Sequence, residues 1–154
     1  MCKTLEITQD KAQAAFNNAT PEGKKLLADL LGEKNLSMKI TDRVKSFADV
    51  LEIKKIRPEY FQQLIAGMPA DTQAYEKLKL VVDVLNEGWK ADWTDEDEYK
   101  YFPVYDQRKG FSFFRVINYF WVCGAGSRLC YVSRDIAEYA GKQFLHLYKT
   151  LLTA

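Results

Sequence analysis

The chain has 154 residues, the length of one ordinary domain, and its hydrophobic fraction of 47% is sufficient for a core of its own. This composition excludes a mainly disordered protein. With 22 basic and 21 acidic side chains the formal net charge is +1, so no overall charge directs the chain towards nucleic acid or an anionic membrane.

The three cysteines, Cys2, Cys123 and Cys130, are an odd number and favour a reducing compartment over a disulfide scaffold. The first residues show no signal-peptide pattern, and the longest apolar stretch, 119–126, is too short to cross a bilayer. We therefore expect a soluble, cytoplasmic protein that makes no membrane contact.

Helical signals fill the first half of the chain. Start and stop residues predict a helix over about 9–19 capped by Thr8, one from Pro21 to Gly32, one opened by Thr41 and Asp42, and a short one from Pro58 to Gly67. The second carries a predicted apolar stripe of Leu26, Leu27, Leu30 and Leu31. The third carries apolar residues at helical spacing, namely Val44, Phe47, Ala48 and Leu51.

The clearest helix follows, with Asp71 as its candidate cap. Apolar residues recur there every three or four positions, at Tyr75, Leu78, Val82, Leu85 and Trp89. The segment 86–88 ends this helix, because it contains an asparagine and a glycine.

The next segment, 89–131, holds 13 of the 21 aromatic side chains. Its pattern predicts an antiparallel meander with strands over 99–105, 111–121 and 128–132, joined by tight loops at 106–110 and 124–126. Pro103 makes the first strand an edge strand or a bulged one. Strand alternation places Phe111 and Phe113 on one face, and Phe114 and Val116 on the other.

A last helix begins at the cap residue Ser133. Its predicted buried stripe is Ile136, Ala140, Phe144, Leu147 and Leu151. Gly141 in this helix costs ~1 kcal/mol relative to alanine, so we expect a large ring, Trp121 or Tyr131, to pack directly on it. The predicted fold class is α+β, with a helical N-terminal half, a small antiparallel β-meander and a C-terminal amphipathic helix packed on the sheet.

We predict a single domain over 1–154, since no repeat and no clear linker interrupts the chain. Within it, the pattern is compatible with a helical lobe (1–53), a hinge (54–70) and an α+β core (71–154).

The cysteines and His146, the only histidine, do not form a recognisable reactive site. A structural zinc site needs four ligands at short spacings, which Cys123 and Cys130 lack. His146 lies two positions from Phe144 and points away from the buried helix face, which disfavours a Cys–His nucleophile pair. We therefore predict no metal and no catalytic residue, with the thiols acting as small hydrophobic groups.

Two further segments resemble ligand loops. The glycine-containing stretch 123–128 lacks the following helix that a phosphate loop needs, so we predict a β-turn, and an exposed anion contact at Arg128 is the alternative. The run 92–98 places five carboxylates within seven residues but lacks the glycine of a calcium loop. We predict a solvated loop there, with weak cation binding or a basic partner as the alternative, and we predict no cofactor.

The hairpin segment 109–114 resembles part of the RNP1 signature of RNA-recognition motifs, matching at Lys109, Gly110, Phe111 and Phe113. The preceding strand joins through a tight turn, unlike the strand–helix alternation of that fold. We therefore favour core aromatics, and an exposed second face would be a stacking platform or a protein interface.

Six short strings in the second half of the chain carry a family resemblance: 85–89, 92–93, 100–103, 110–111, 127–131 and 137–144. Over roughly 75–154 the chain resembles a group of uncharacterised proteins encoded by tailed phages and prophages of gut Bacteroidetes. That group has no established activity, so the resemblance implies no catalytic residue. It implies a phage-derived virion component, assembly factor or binder of a host factor, in the bacterial cytoplasm or the virion.

The predicted function is therefore a phage-derived, non-enzymatic protein-interaction module that binds through exposed parts of the region 89–121. Interface hot spots favour Trp, Tyr and Arg, and the predicted partner-binding residues are Trp89, Trp93, Tyr101, Arg108, Lys109 and Arg115. The alternative is a nucleic-acid-binding protein that uses Lys109, Arg115 and the hairpin aromatics. A third hypothesis is an enzyme built on Cys123 or Cys130.

Overall fold

The computed structural model describes residues 7, 9–32, 36, 39–120 and 127–154. They group into two compact units, Met1–Arg43 and Val44–Ala154. The predicted hinge, 54–70, lies inside the second unit. Bending at this hinge stays a prediction. The single-domain organisation of the whole chain stays a prediction as well.

Among the residues described in the first unit, helices span α1 (Gln9–Asn18), α2 (Pro21–Leu31) and α3 (Ile40–Arg43). The start of α2 is as predicted, because the Thr20 hydroxyl accepts a hydrogen bond from the Gly23 amide at 3.2 Å. Gly32 ends α2 with φ 78°. The predicted cap Thr8 lies outside the described residues.

The predicted apolar stripe of α2 is only partly covered, since Leu27 and Leu31 are half-buried. Leu26 and Leu30 are exposed, and no residue of α2 is buried. Within this unit α2 packs on α1, and one helical neighbour covers only part of a helix circumference.

The second unit begins with α4 (Phe47–Ile53) and α5 (Pro58–Ile65). The prediction of one helix from Thr41 through Leu51 is wrong, because a capping box starts a new helix. The Ser46 amide donates to the Asp49 carboxylate at 2.7 Å, and the Asp49 amide donates to the Ser46 hydroxyl at 3.4 Å. The apolar residues keep their helical spacing across this break, so spacing alone does not reveal where one helix ends and the next begins.

The long helix α6 (Ala70–Leu85) is as predicted in position and buried face, with Leu78 and Leu85 fully buried. It packs on α4 and on the C-terminal helix α8 (Leu145–Thr153). Its N-terminal cap position is Pro69, not the predicted Asp71, whose carboxylate instead accepts from the Thr72 amide.

The hairpin consists of β1 (Lys100–Asp106) and β2 (Ser112–Tyr119), which pair antiparallel with a bulge next to Val104 and Tyr105. The predicted third strand is wrong. Ser127–Leu129 forms a short 3₁₀-helix, and Tyr131 alone bridges to Tyr101 through amide-to-carbonyl bonds of 2.9 and 3.1 Å. The predicted loop at 124–126 lies outside the described residues.

The C-terminal segment starts as predicted, because the Ser133 hydroxyl accepts from the Ile136 amide at 3.3 Å. It forms two helices, α7 (Arg134–Gln143) and α8, because the backbone leaves the helical region at Phe144, where φ is −105° and ψ is 26°. Buried residues on it include the predicted Ala140, Phe144 and Leu147. Of the described helices, none has the length and apolarity that a membrane span requires.

Gly141 marks where α7 meets the hairpin. A Cβ placed there would lie 2.7 Å from the Cβ of Pro103 and 2.9 Å from the ring of Phe113. The expectation of a large ring on this glycine is confirmed, but the ring is Phe113, not Trp121 or Tyr131. Trp121 lies outside the described residues. The α+β class, with a C-terminal helix on the sheet, is therefore confirmed.

Candidate functional site

The inner face of the hairpin is the face that packs on the C-terminal helices. Tyr105 stacks on Phe111 at 4.7 Å between ring centroids and meets Phe113 edge-on at 6.3 Å. The Tyr105 hydroxyl donates to the carbonyl of Gly141 at 3.3 Å. Phe111 and Phe113, the two aromatics of the RNP1-like string, therefore lie on the packed side of the hairpin, where both are half-buried rather than fully buried as the core interpretation predicts.

The bulge changes which residues share a face. Tyr105 pairs with Phe113 while Val104 pairs with Arg115, so Phe114 is an extra residue without a partner on β1. The prediction that Phe114 and Val116 share a face is therefore wrong: Val116 pairs with Pro103 and is buried, whereas Phe114 is exposed.

The outer face of the hairpin carries an exposed aromatic and basic surface. We define it by the bulge residue together with those register partners opposite the inner face that are not buried: Phe102, Val104, Phe114, Arg115, Ile117 and Tyr119. Phe114 is 52% exposed and Tyr119 46% exposed. Arg115 is exposed, with its guanidinium 5.3 Å from the centroid of the Phe114 ring.

A cleft of about 510 Å³ lies within the second unit, at the C-terminal end of α6. Its walls come from α6, from the segment 89–93 and from the 3₁₀-helix at Ser127–Leu129. The side chains that decide its chemistry are Lys79, Trp89, Lys90, Trp93 and Arg128. We refer to this feature as the α6 cleft.

Trp89 is held at the α6 cleft by Glu98. The indole Nε1 donates to Glu98 Oε1 at 2.9 Å, and the Asp92 amide donates to Glu98 Oε2 at 2.8 Å. Lys100 Nζ lies 3.0 Å from the same Oε2. Burial opposes ionisation of Glu98, but these three donors outweigh it and hold the pKa of Glu98 below its usual value.

Lys100 fixes the second indole. Its side chain is fully buried, and its ammonium donates to the Asp95 carbonyl at 3.3 Å besides pairing with Glu98. The same ammonium lies 5.5 Å from the centroid of the Trp93 ring. Sequence reasoning missed this lysine, since a charged residue on a strand is expected to face solvent. The remaining acids of the run 92–98 are exposed, as predicted.

Asn86 joins α6 to the opposite wall. Its side-chain amide donates to the Cys130 carbonyl at 2.9 Å, and its Oδ1 accepts from the Val132 amide at 3.0 Å. The sequence identified Asn86 only as part of a helix end. Its hydrogen bonds across the cleft join it to residues more than forty positions away, and no local sequence pattern indicates such contacts.

The cysteine chemistry is that of a neutral thiol. Cys130 is buried and free, and burial raises its pKa to about 11. A thiol with that pKa is a poor nucleophile at neutral pH. Cys123 lies outside the described residues, and His146 is exposed as predicted. Within the described part of the chain, no three His, Cys, Asp or Glu side chains lie together as a metal site would require.

The structure separates the six predicted partner-binding residues. Trp89 and Trp93 meet at the α6 cleft, and Arg115 lies on the outer face. Arg108 pairs with Asp106 at 2.6 Å in the hairpin loop, where Lys109 is also exposed.

Tyr101 is half-buried and is not on the outer face. Its ring stacks on Tyr99 at 6.2 Å between centroids, and the Arg134 guanidinium lies 5.8 Å from its centroid. Lys90, which sequence reasoning missed, joins the predicted anion contact Arg128 at the α6 cleft. That the six residues bind a partner stays a prediction. No protein-family model, curated protein or solved structure matches this chain.

Proposed function

We propose that this protein is a non-enzymatic protein-interaction module that binds a partner through the outer face of the hairpin. The observation that carries the proposal is the exposure of Phe114 and Tyr119, at 52% and 46%, on a face that also presents Arg115. Aromatic rings beside an arginine form the usual energetic centre of protein interfaces.

The chemistry of the outer face defines the kind of partner. Phe102, Val104 and Ile117 are half-buried and surround the exposed rings with apolar surface. Arg115 adds a positive charge that pairs best with a carboxylate. The partner is therefore a protein with an apolar patch bordered by acidic residues.

The biological setting of the proposal comes from the family resemblance over 75–154. It favours a phage-derived protein whose partner is either a component of the virion or its assembly, or a factor of the bacterial host. Both settings place the chain in the bacterial cytoplasm or in the virion.

A nucleic-acid-binding function has less support. Of the aromatics that match RNP1, Phe113 packs on Gly141 of α7 and Phe111 stacks on Tyr105, and Arg108 is already neutralised by Asp106. Affinity for a nucleic-acid partner would fall steeply as the salt concentration rises. The salt dependence of binding therefore distinguishes a nucleic-acid partner from a protein partner.

The test compares partner capture from a Bacteroidetes lysate by the wild type and by a Phe114→Ser/Tyr119→Ser variant. A matched control, Tyr60→Ser/Leu64→Ser, removes two side chains of equal exposure, both 52%, from α5. The captured protein is then purified, and its affinity for the three chains is measured by calorimetry. We expect the outer-face variant to weaken binding at least about thirtyfold and the control to bind like the wild type. Equal binding by all three chains, or capture of no protein by the wild type, would refute the proposal.

A further inference from the structure

The α6 cleft has the size of a small-molecule site, and hydrogen bonds and an ion pair connect its walls. Its volume of about 510 Å³ lies in the range of roughly 300–1,000 Å³ that is usual for such sites. Asn86 ties α6 to the 130–132 segment, and half-buried Glu98, paired with the buried Lys100, holds the wall formed by 89–93. A cleft with fixed walls binds a ligand without first paying to become ordered.

Two indole rings are the aromatic part of the cleft lining, beside the aliphatic Val82 and Ala91. Trp89 is oriented by its hydrogen bond to Glu98, and Trp93 by the Lys100 ammonium on its ring. Both side chains are half-buried and line the cleft. Fixed aromatic faces at a cleft favour stacking by a planar ring.

The charges of the cleft favour an anion. Lys79 pairs with Glu76 at 2.8 Å, and Asp83, the single carboxylate among the lining side chains described, pairs with Lys54. Lys90 and Arg128 are exposed and form no ion pair with any of the residues that the structure describes. Cys130 adds no charge, because its thiol is protonated at neutral pH.

We propose that the α6 cleft binds a small ligand that carries a planar ring together with a phosphate or carboxylate group. The ring stacks on Trp89 or Trp93, and the anionic group is bound by Arg128 and Lys90. This site is separate from the outer face of the hairpin, so it does not depend on the proposed protein-interaction function.

Tryptophan fluorescence provides a direct test. The chain has three tryptophans, so a Trp121→Phe background confines the emission to the two indoles of the cleft. The probes are adenosine monophosphate, phenylacetate, adenosine and inorganic phosphate, each titrated at constant ionic strength. We expect saturable quenching by adenosine monophosphate, by phenylacetate or by both, with weaker binding of adenosine and of inorganic phosphate. Comparison of the first two probes identifies the preferred anionic group.

Charge variants link the binding to the cleft. Arg128→Gln and Lys90→Gln should each weaken binding of the tighter probe about tenfold. The matched control, Arg115→Gln, removes one exposed positive charge on the outer face and should leave the affinity unchanged. Circular dichroism verifies that every variant is folded. The proposal is overturned if no probe saturates up to about 1 mM. It is also overturned if phenylacetate does not bind while adenosine binds as tightly as adenosine monophosphate. The third contrary result is that Arg115→Gln weakens binding as much as the cleft variants do.

Discussion

Gly141→Ala tests the contact on which the packing of α7 against the hairpin depends. The added Cβ would lie 2.7 Å from the Cβ of Pro103 and 2.9 Å from two ring carbons of Phe113. Carbon atoms in favourable contact are about 3.5–4.0 Å apart, so both neighbours would have to move by most of an ångström. Neither moves freely, since Pro103 in β1 is paired with Val116 of β2 and the Phe113 ring packs against Tyr105.

Two effects of opposite sign decide the result. Alanine is favoured over glycine inside a helix by ~1 kcal/mol. Overpacking a filled contact costs about 1–3 kcal/mol, and here two contacts are violated at once. We therefore expect a net loss of about 1–2 kcal/mol in the free energy of unfolding, which corresponds to a fall in Tm of about 3–6 °C for a chain of this size.

Urea unfolding followed by far-ultraviolet circular dichroism measures this change, and Phe113→Ala supplies the control. In a Phe113→Ala background the ring contact is gone, so Gly141→Ala should cost less than it does in the wild type. The difference between the two costs isolates the contact. An increase in stability of the wild type on Gly141→Ala, as helix propensity alone predicts, would refute this account of the packing.

Three further predictions concern other parts of the second unit. Glu98→Gln leaves the buried Lys100 ammonium without its carboxylate and should lower the free energy of unfolding by about 3 kcal/mol at neutral pH, measured by urea unfolding. The pKa of Glu98 is lowered in the folded state, so its stabilising contribution is present above the ordinary pKa of 4.5 and is lost as pH falls through the folded pKa. The Glu98→Gln variant should therefore lose less stability on acidification than the wild type. Ser46→Ala removes the capping box of α4 and should cost about 1 kcal/mol in the same assay. In a Cys2→Ser/Cys123→Ser background, Cys130 should react with a thiol reagent at neutral pH far more slowly than it does in urea, since it is buried and has a raised pKa.

Each of these predictions has a clear contrary result. Equal loss of stability on acidification by the wild type and Glu98→Gln would show that the Glu98–Lys100 pair contributes little. An unchanged unfolding midpoint for Ser46→Ala would mean that packing alone holds the start of α4. Rapid labelling of Cys130 in the native protein would show that the thiol is accessible and would restore interest in a cysteine-based activity.

The two proposed binding sites use different residues and are tested by different observables. The outer face depends on Phe114, Tyr119 and Arg115, whereas the α6 cleft depends on Trp89, Trp93 and the exposed cations Lys90 and Arg128. Failure of partner capture would leave the ligand titration unaffected. Likewise, absence of ligand quenching would not alter the case for the hairpin surface.

The amino-acid sequence by itself determined the features whose causes lie within a few residues. Thr20 and Ser133 start helices because their hydroxyls accept bonds from amides three positions later. Gly32 ends a helix because it adopts a positive φ. The hairpin, the α+β class and the buried residues Ala140, Phe144 and Leu147 followed from turn residues and periodicity in the same way.

Only the tertiary structure decided the features that depend on distant partners. The bulge at Phe114 depends on the register with β1, and it decides which aromatic side chains face solvent. Lys100 can be buried because its ammonium forms an ion pair with Glu98 and donates a hydrogen bond to the Asp95 carbonyl. The α6 cleft brings together a helix, a loop and a 3₁₀-helix that are separated along the chain. Periodicity describes one element at a time, so the surfaces that can bind a ligand or a partner depend on packing between elements.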